Sequence, residues 1–246
     1  MTRASMPSDL RKPSGLKRGI RIGIVDSGFL APQGNHVTDS AAFVIRDQAL
    51  WQEEVIPDQL GHGSRVLEVI RHQVPMASFY CAQVFQQSFS TTTLQLSAAI
   101  DWLVEQEVDL INLSLGVRQD KPELADSVLK ALRSGVLLTA ANPAQGAAVY
   151  PAAYPGVFRM TGDARCESHE WSYLETAQGD FGGHVKSLDG QQSGASMGTA
   201  WMTGHIGQLM VNRPETISRL RPSQVRELLR ESAAYLGPER KTEQGL

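Results

Sequence analysis

Three short segments carry side chains that could together turn a serine hydroxyl into a nucleophile. Asp26 ends the run Arg21-Ile22-Gly23-Ile24-Val25-Asp26-Ser27-Gly28, His62 lies in Gly61-His62-Gly63-Ser64, and Ser196 lies in Ser193-Gly194-Ala195-Ser196-Met197-Gly198-Thr199-Ala200. A serine hydroxyl attacks poorly until a base removes its proton, and an imidazole suits that task near neutral pH. A carboxylate behind the imidazole fixes its tautomer and stabilises the imidazolium that forms. Each residue alone has an ordinary explanation: an Asp after a strand makes turns, and a Ser before a helix caps it. In the order Asp, His, Ser they form a complete orienter, base and nucleophile set. Ser196 also opens an apolar stretch, so a helix starting there would offer it a backbone N–H and a positive dipole end.

These groups need a scaffold, and the chain predicts one of alternating strands and helices. Ile20 to Asp26 is apolar and bounded by Gly19 and Gly28, which predicts a fully buried strand. Ser64 to Gln73 carries Val66, Leu67, Val69 and Ile70 at helical spacing, and Ala77 to Phe85 follows as a strand. Thr93 to Glu107 predicts a helix capped by Thr92 or Thr93, with Leu96, Ile100, Leu103 and Val104 on one face. Val108 to Leu115 is a strand, Glu123 to Ser134 a helix stopped by Gly135, and Val136 to Ala141 a strand closed by Asn142-Pro143. Val157 to Gly162 adds a short strand, and Met197 to Val211 and Pro222 to Tyr235 are the last helices. Strands separated by helices become parallel neighbours with right-handed crossovers, and such sheets react at the carboxyl ends of their strands. Asp26 and Asn142 fall at such ends.

The 246 residues, 41% of them apolar, suit one α/β domain over 20–237, flanked by a flexible segment at 1–19 and a tail at 238–246. A net charge of -3 offers no pull toward nucleic acid or an anionic membrane. No apolar run reaches the roughly 18 residues of a membrane-spanning helix. The basic first 19 residues contain Pro7, Pro13 and Gly15 and no hydrophobic core, unlike a secretory signal. Cys81 and Cys166 make no disulfide framework, and no His/Cys/Asp/Glu cluster has zinc spacing. These features predict a reduced, cytoplasmic protein without a cofactor. His36, His72, His169, His184 and His205 lack a comparable motif and are expected on the surface or in packing roles.

Over residues 20 to 237 the chain resembles the subtilases, the subtilisin-like serine peptidases. The likeness rests on Val25-Asp26-Ser27-Gly28, Gly61-His62-Gly63-Ser64, Ser114-Leu115-Gly116 and Ala140-Ala141-Asn142. It continues through Tyr150-Pro151-Ala152-Ala153-Tyr154-Pro155, Gly194-Ala195-Ser196-Met197 and Gln224-Val225-Arg226-Glu227-Leu228-Leu229. The resemblance implies a three-layer fold with a mainly parallel central sheet and an endopeptidase that works through an acyl-enzyme. It implies Asp26, His62 and Ser196 as the triad, and the Asn142 side chain with the Ser196 N–H as oxyanion donors. It also implies a peptide or protein partner held extended between Ser88-Phe89-Ser90-Thr91 and Ser114-Leu115-Gly116. Thr93, Leu96 and Leu115 would line a distal apolar subsite. Ala140, Ala141, Asn142 and Val149 would border the pocket for the residue on the acyl side of the cut. By resemblance, the Tyr150–Pro151 bond is cis.

Departures from the family pattern refine these expectations. Ala141 stands where the family has Gly, Ser64 and Ala195 where it has Thr, and Ala200 where it has Pro. Loss of bulk and recovery of an N–H at Ala200 keep a transpeptidase or ligase open. Only Ser64 to Val74 separates His62 from the turn at Pro75, too little for the calcium loop of many members, so no metal is expected. A cytoplasmic member with about 19 residues before its first strand carries no evident inhibitory segment, which points to narrow specificity. A binding scaffold would be favoured by a missing triad member, and none is missing. Gly194-Ala195-Ser196-Met197-Gly198 satisfies an esterase Gly-x-Ser-x-Gly, but that fold needs its acid and His after the Ser.

Overall fold

The computed structural model describes residues 19–212 and 221–239; of the expected tails at 1–19 and 238–246, residues 1–18 and 240–246 lie outside the described residues. The elements in chain order are β1 (Arg21–Asp26), β2 (Val37–Arg46), β3 (Ala49–Glu53), α1 (His62–Gln73), β4 (Ser78–Gln83), α2 (Thr93–Glu105) and β5 (Leu110–Leu113). They continue with α3 (Pro122–Arg133), β6 (Leu137–Ala141), β7 (Phe158–Gly162), β8 (Trp171–Tyr173), β9 (Phe181–Gly183), α4 (Ala195–Asn212), α5 (Pro222–Glu231) and β10 (Tyr235–Leu236). One sheet runs β10-β8-β9-β7-β6-β5-β1-β4-β2-β3. Its pairs are parallel except β2 with β3 and β8 with β9.

Two apolar cores cover the two faces, which makes three layers. Side chains alternate along a strand, so Ile22 and Ile24 of β1 meet Val66, Ile70, Met197 and Trp201 of α1 and α4. Val25 points the other way, toward Leu96, Ile100 and Leu103 of α2. The α4 helix is buried on nearly all sides from Met197 to Gly207. Its Gly198 permits this: a Cβ there would stand 2.3 Å from the Thr161 carbonyl oxygen of β7.

The edges of the sheet differ from the sequence expectation. The β2–β3 hairpin turns through Asp47 and Gln48, both at positive φ (51° and 61°). That is the backbone of a two-residue primed turn, yet the pair lacks the Asn-Gly or Asp-Gly signature that normally marks one. The strands β8 and β9 have three residues each, and β9 includes Gly182 and Gly183, so neither has a readable period. The last helix stops at Glu231 rather than Tyr235, because Tyr235 and Leu236 pair with Ser172 and Tyr173 of β8.

His205 is a core residue of α4, 5% exposed, with its ring against Trp171 at 4.8 Å between centroids. Its Nε2 has no hydrogen-bond partner among the described residues. Burial, aided by the charge of His169, pulls its pKa from 6.5 down to about 4. The unfolded chain therefore binds a proton between those values that the folded chain refuses, so stability falls as pH drops from 6.5 to 4. The full loss is about 3 kcal/mol. Thermal unfolding of His205→Gln should show a shallower acid slope than the parent; equal slopes would refute this assignment.

Candidate active site

Asp26 closes β1 at the carboxyl edge of the sheet and is 1% exposed. Its Oδ1 accepts the Ser27 N–H at 2.7 Å and lies 2.7 Å from His62 Nδ1. Opposite a carboxylate, Nδ1 carries the hydrogen and Nε2 is left as the acceptor. His62 is the first residue of α1, whose N-cap Gly61 is left-handed at φ 69°. The approach of α1 to the strand end depends on Gly63, where a Cβ would stand 2.4 Å from the Gly28 carbonyl oxygen. The Gly63 N–H donates instead to Ser27 Oγ at 2.8 Å.

A second buried carboxylate, absent from the sequence expectation, holds this turn. Asp58 accepts the N–H groups of Leu60 (3.0 Å) and Gly61 (2.8 Å) through Oδ1, and the Ser64 N–H (2.9 Å) and hydroxyl (2.5 Å) through Oδ2. It thereby satisfies donors that the start of a helix leaves unpaired. Burial pushes the Asp58 carboxyl up, but the bonds from Ser64, Ser27 and Gly61 outweigh it and hold it below 3.8. The only sequence signal was an Asp four residues before the His. At His62, burial pulls the pKa down, the charge and hydrogen bond of Asp26 push it up, and Asp58 adds to them. The net position is above 6.5.

The nucleophile candidate comes from the other helix. Gln73 at the end of α1 donates to the Trp201 carbonyl, while Arg65 near its start bonds Asp189 and Gln191. The two helices therefore run side by side in one direction, and their first turns lie together at the carboxyl edge of the sheet. Ser196 is the second residue of α4. Its hydroxyl donates to the Ser114 carbonyl at 2.9 Å, and the Ser114 hydroxyl donates back to the Ser196 carbonyl at 2.9 Å. In this rotamer the hydroxyl rests on the edge after β5, and a turn about its Cα–Cβ bond redirects it.

Asn142 follows β6 and is 3% exposed. Its Nδ2 donates to the Gln178 carbonyl at 2.7 Å, and its Oδ1 accepts the Val149 N–H at 3.3 Å. The amide is thus held from both sides, with one of its two N–H hydrogens left to donate. Val117 and Tyr150 pair by two 2.8 Å backbone bonds, and Tyr150–Pro151 is cis. Val149 lies directly over Gly116, where a Cβ would meet Val149 Cγ2 at 2.5 Å. Ala140 and Ala141 are buried at the end of β6.

The family model for subtilases matches residues 17–161. This chain belongs to the subtilase family. It is 32% identical over 156 residues to the minor extracellular protease Epr of Bacillus subtilis, covering 58% of this chain and 23% of that one. It is 26% identical over 243 residues to subtilisin E of the same organism, covering 89% of this chain and 61% of the relative. It is also 24% identical over 234 residues to a thermostable alkaline protease of Halalkalibacterium halodurans, covering 89% of this chain and 63% of the relative. Among solved structures it superposes on a cold-adapted subtilisin-like serine proteinase (TM-score 0.64, 22% identity, 89% of this chain and 85% of that one). The prenylagaramide maturation protease PagA gives a TM-score of 0.61 at 18% identity, covering 85% and 80%. Among the described residues no helix is long and apolar enough to cross a membrane, and no three or more His, Cys, Asp or Glu side chains group to hold a metal ion.

The segment expected to hold one side of an extended substrate, 88–91, lies between β4 and α2. Ser88, Phe89 and Ser90 are exposed, and Phe89 stands edge-on to His62 with centroids 5.5 Å apart. Of the residues expected to line an apolar distal subsite, the two leucines are buried. Leu96 has no exposed surface, Leu115 is 7% exposed, and both belong to the core. The Thr93 hydroxyl donates to Glu123 Oε1 at 2.7 Å. The recess that is open, about 340 Å³, is lined by Thr91, Thr92, Thr93, Val117, Arg118 and Gln119.

Proposed function

We propose that this subtilase is a serine endopeptidase of narrow specificity that processes a peptide or protein partner in the cytoplasm. The observation that carries the reading is the 2.7 Å contact of His62 Nδ1 with a fully buried Asp26, beside the helix start that bears Ser196. An extended substrate lies between 88–91 and 114–116 as an added strand. Its arrival turns the Ser196 hydroxyl off the Ser114 carbonyl toward His62 Nε2. His62 takes the proton as Ser196 Oγ bonds to the scissile carbonyl carbon. The oxyanion is met by the Ser196 N–H and the free N–H of Asn142. His62 then protonates the leaving amine, and an acyl-enzyme remains. Water, deprotonated by His62, attacks the ester, and the acid and free Ser196 are released. The fold is shared with the prenylagaramide maturation protease PagA, which supports a processing role. Both cysteines are free and buried, which suits a reducing compartment.

Val149 narrows the pocket for the acyl-side residue, P1. A β-branched side chain packed on Gly116 has one favoured rotamer and cannot swing away. Forcing a large side chain past it costs about 1–3 kcal/mol, a discrimination of roughly tenfold or more. Mass-spectrometric analysis of a peptide-library digest should show cleavage after Gly, Ala or Ser, and Val149→Gly should extend it to Phe and Tyr. Cleavage by the parent chiefly after Phe, Tyr or Leu would sink the pocket assignment. Peptide products joined to added amines, rather than hydrolysed, would instead favour a transpeptidase.

A further inference from the structure

The recess at the far end of the cleft is built for a charge. On one side stands the start of α2, where Thr92 is the N-cap and its hydroxyl oxygen accepts the Gln95 N–H at 3.2 Å. The N–H groups of Thr93 and Leu94, in the first turn, have no acceptor among the described residues. Next to them Thr91 Oγ1 is buried and has no hydrogen-bond partner among the described residues. On the other side Arg118 is exposed and pairs with no carboxylate among the described residues. Of the neighbouring acids, Glu123 stands at the recess edge with its Oε1 accepting the Thr93 hydroxyl at 2.7 Å, and Asp120 accepts the Tyr154 hydroxyl at 2.7 Å. Neither acid is among the residues lining the recess. Thr91, Thr92, Thr93 and Arg118 thus line one recess of about 340 Å³, and its cation, Arg118, has no carboxylate partner among the described residues.

The position of the recess fixes which substrate residue reaches it. The Ser114 carbonyl, now holding the Ser196 hydroxyl, lies where the P1 residue must pass. From there the edge runs outward through Gly116 to Val117 and Arg118. A strand advances about 3.3 Å per residue, so three residues along both the edge and an antiparallel substrate span about 10 Å. The side chain at P4, three residues before P1, then falls between Thr91–Thr93 and Val117–Gln119. A carboxylate there would meet the guanidinium in a paired geometry and the positive end of α2.

We propose that Arg118, with Thr91 and the first turn of α2, selects Asp or Glu at P4 of the substrate. The inference rests on the peptidase reading, but its test does not require turnover. Ser196→Ala protein is titrated with fluorescent peptides that differ only in Glu, Gln or Lys at P4 and carry Ala at P1. Glu should bind roughly tenfold tighter than Lys, with Gln between them, and the gap should shrink at high salt because the site is solvent-facing. Adding Arg118→Glu should invert the order of Glu and Lys. The same peptides given to protein with Ser196 intact should be cut in the same order of kcat/KM. Equal binding of Glu and Lys, or an order unchanged by Arg118→Glu, overturns the proposal. Peptides bound in the expected order and never cut would uphold the recess and overturn the peptidase reading instead.

Discussion

Ser196→Ala should lower kcat for peptide hydrolysis by roughly six orders of magnitude with the fold intact. Among the described residues the hydroxyl makes one bond, to the Ser114 carbonyl, and no other side chain depends on it. Alanine is the better helix former on α4, so the variant should melt within a few degrees of the parent. What it lacks is the atom that attacks. His62 then has no proton to take, and Asp26 has no imidazolium to stabilise, so removing one member disables all three. Labelling with a fluorophosphonate should add mass to the parent at Ser196 and nothing to the variant. Near-parental turnover by folded Ser196→Ala protein would remove the triad from this site.

Asp26→Asn should lower kcat by about four orders of magnitude and move the acid limb of the pH profile. The Asp26 Oδ1 atom accepts from both the Ser27 N–H and His62 Nδ1, a task that an amide oxygen could share only in one orientation. In the other, the amide N–H faces the imidazole and forces its hydrogen onto Nε2, the atom that must accept from Ser196. The sign of the pH effect follows from the charge. Burial pulls His62 down, while Asp26 supplies the largest upward influence and carries it above 6.5. The base works only when neutral, so parental kcat/KM should fall as pH drops through that raised value. Without the carboxylate, burial prevails, and the fall should come at lower pH. An acid limb at the same pH in both proteins would show that another group sets it.

The residue types proposed as the triad, their order and the buried strand that ends in Asp26 were legible in the chain itself. The strand β1 is a continuous apolar run ending in a carboxylate, and β4, β5 and β6 likewise need no partner to declare themselves. The helices α1 to α4 have a readable apolar face or apolar run. Cys81, expected in the core, lies there, 2% exposed, with burial pushing its thiol up.

Tertiary structure decided the rest. The hairpin β2–β3 forms through a turn without its usual glycine, and β8, β9 and β10 are too short for any period; each is specified by the strand beside it. Asp58 looked like a loop residue until four donors of the α1 start converged on it. The family resemblance implied an apolar distal subsite at Thr93, Leu96 and Leu115, but packing put both leucines in the core, and the open recess is lined by threonines and Arg118. The resting place of the Ser196 hydroxyl belongs to the same class. Asp26 and His62 are 36 residues apart, and Ser114 and Ser196 are 82 apart. Local pattern records whether a residue suits a strand, a helix or a cap, because those preferences act within a few residues. Which polar atoms meet across such separations is set by how whole layers pack, and that was settled only in the folded sheet.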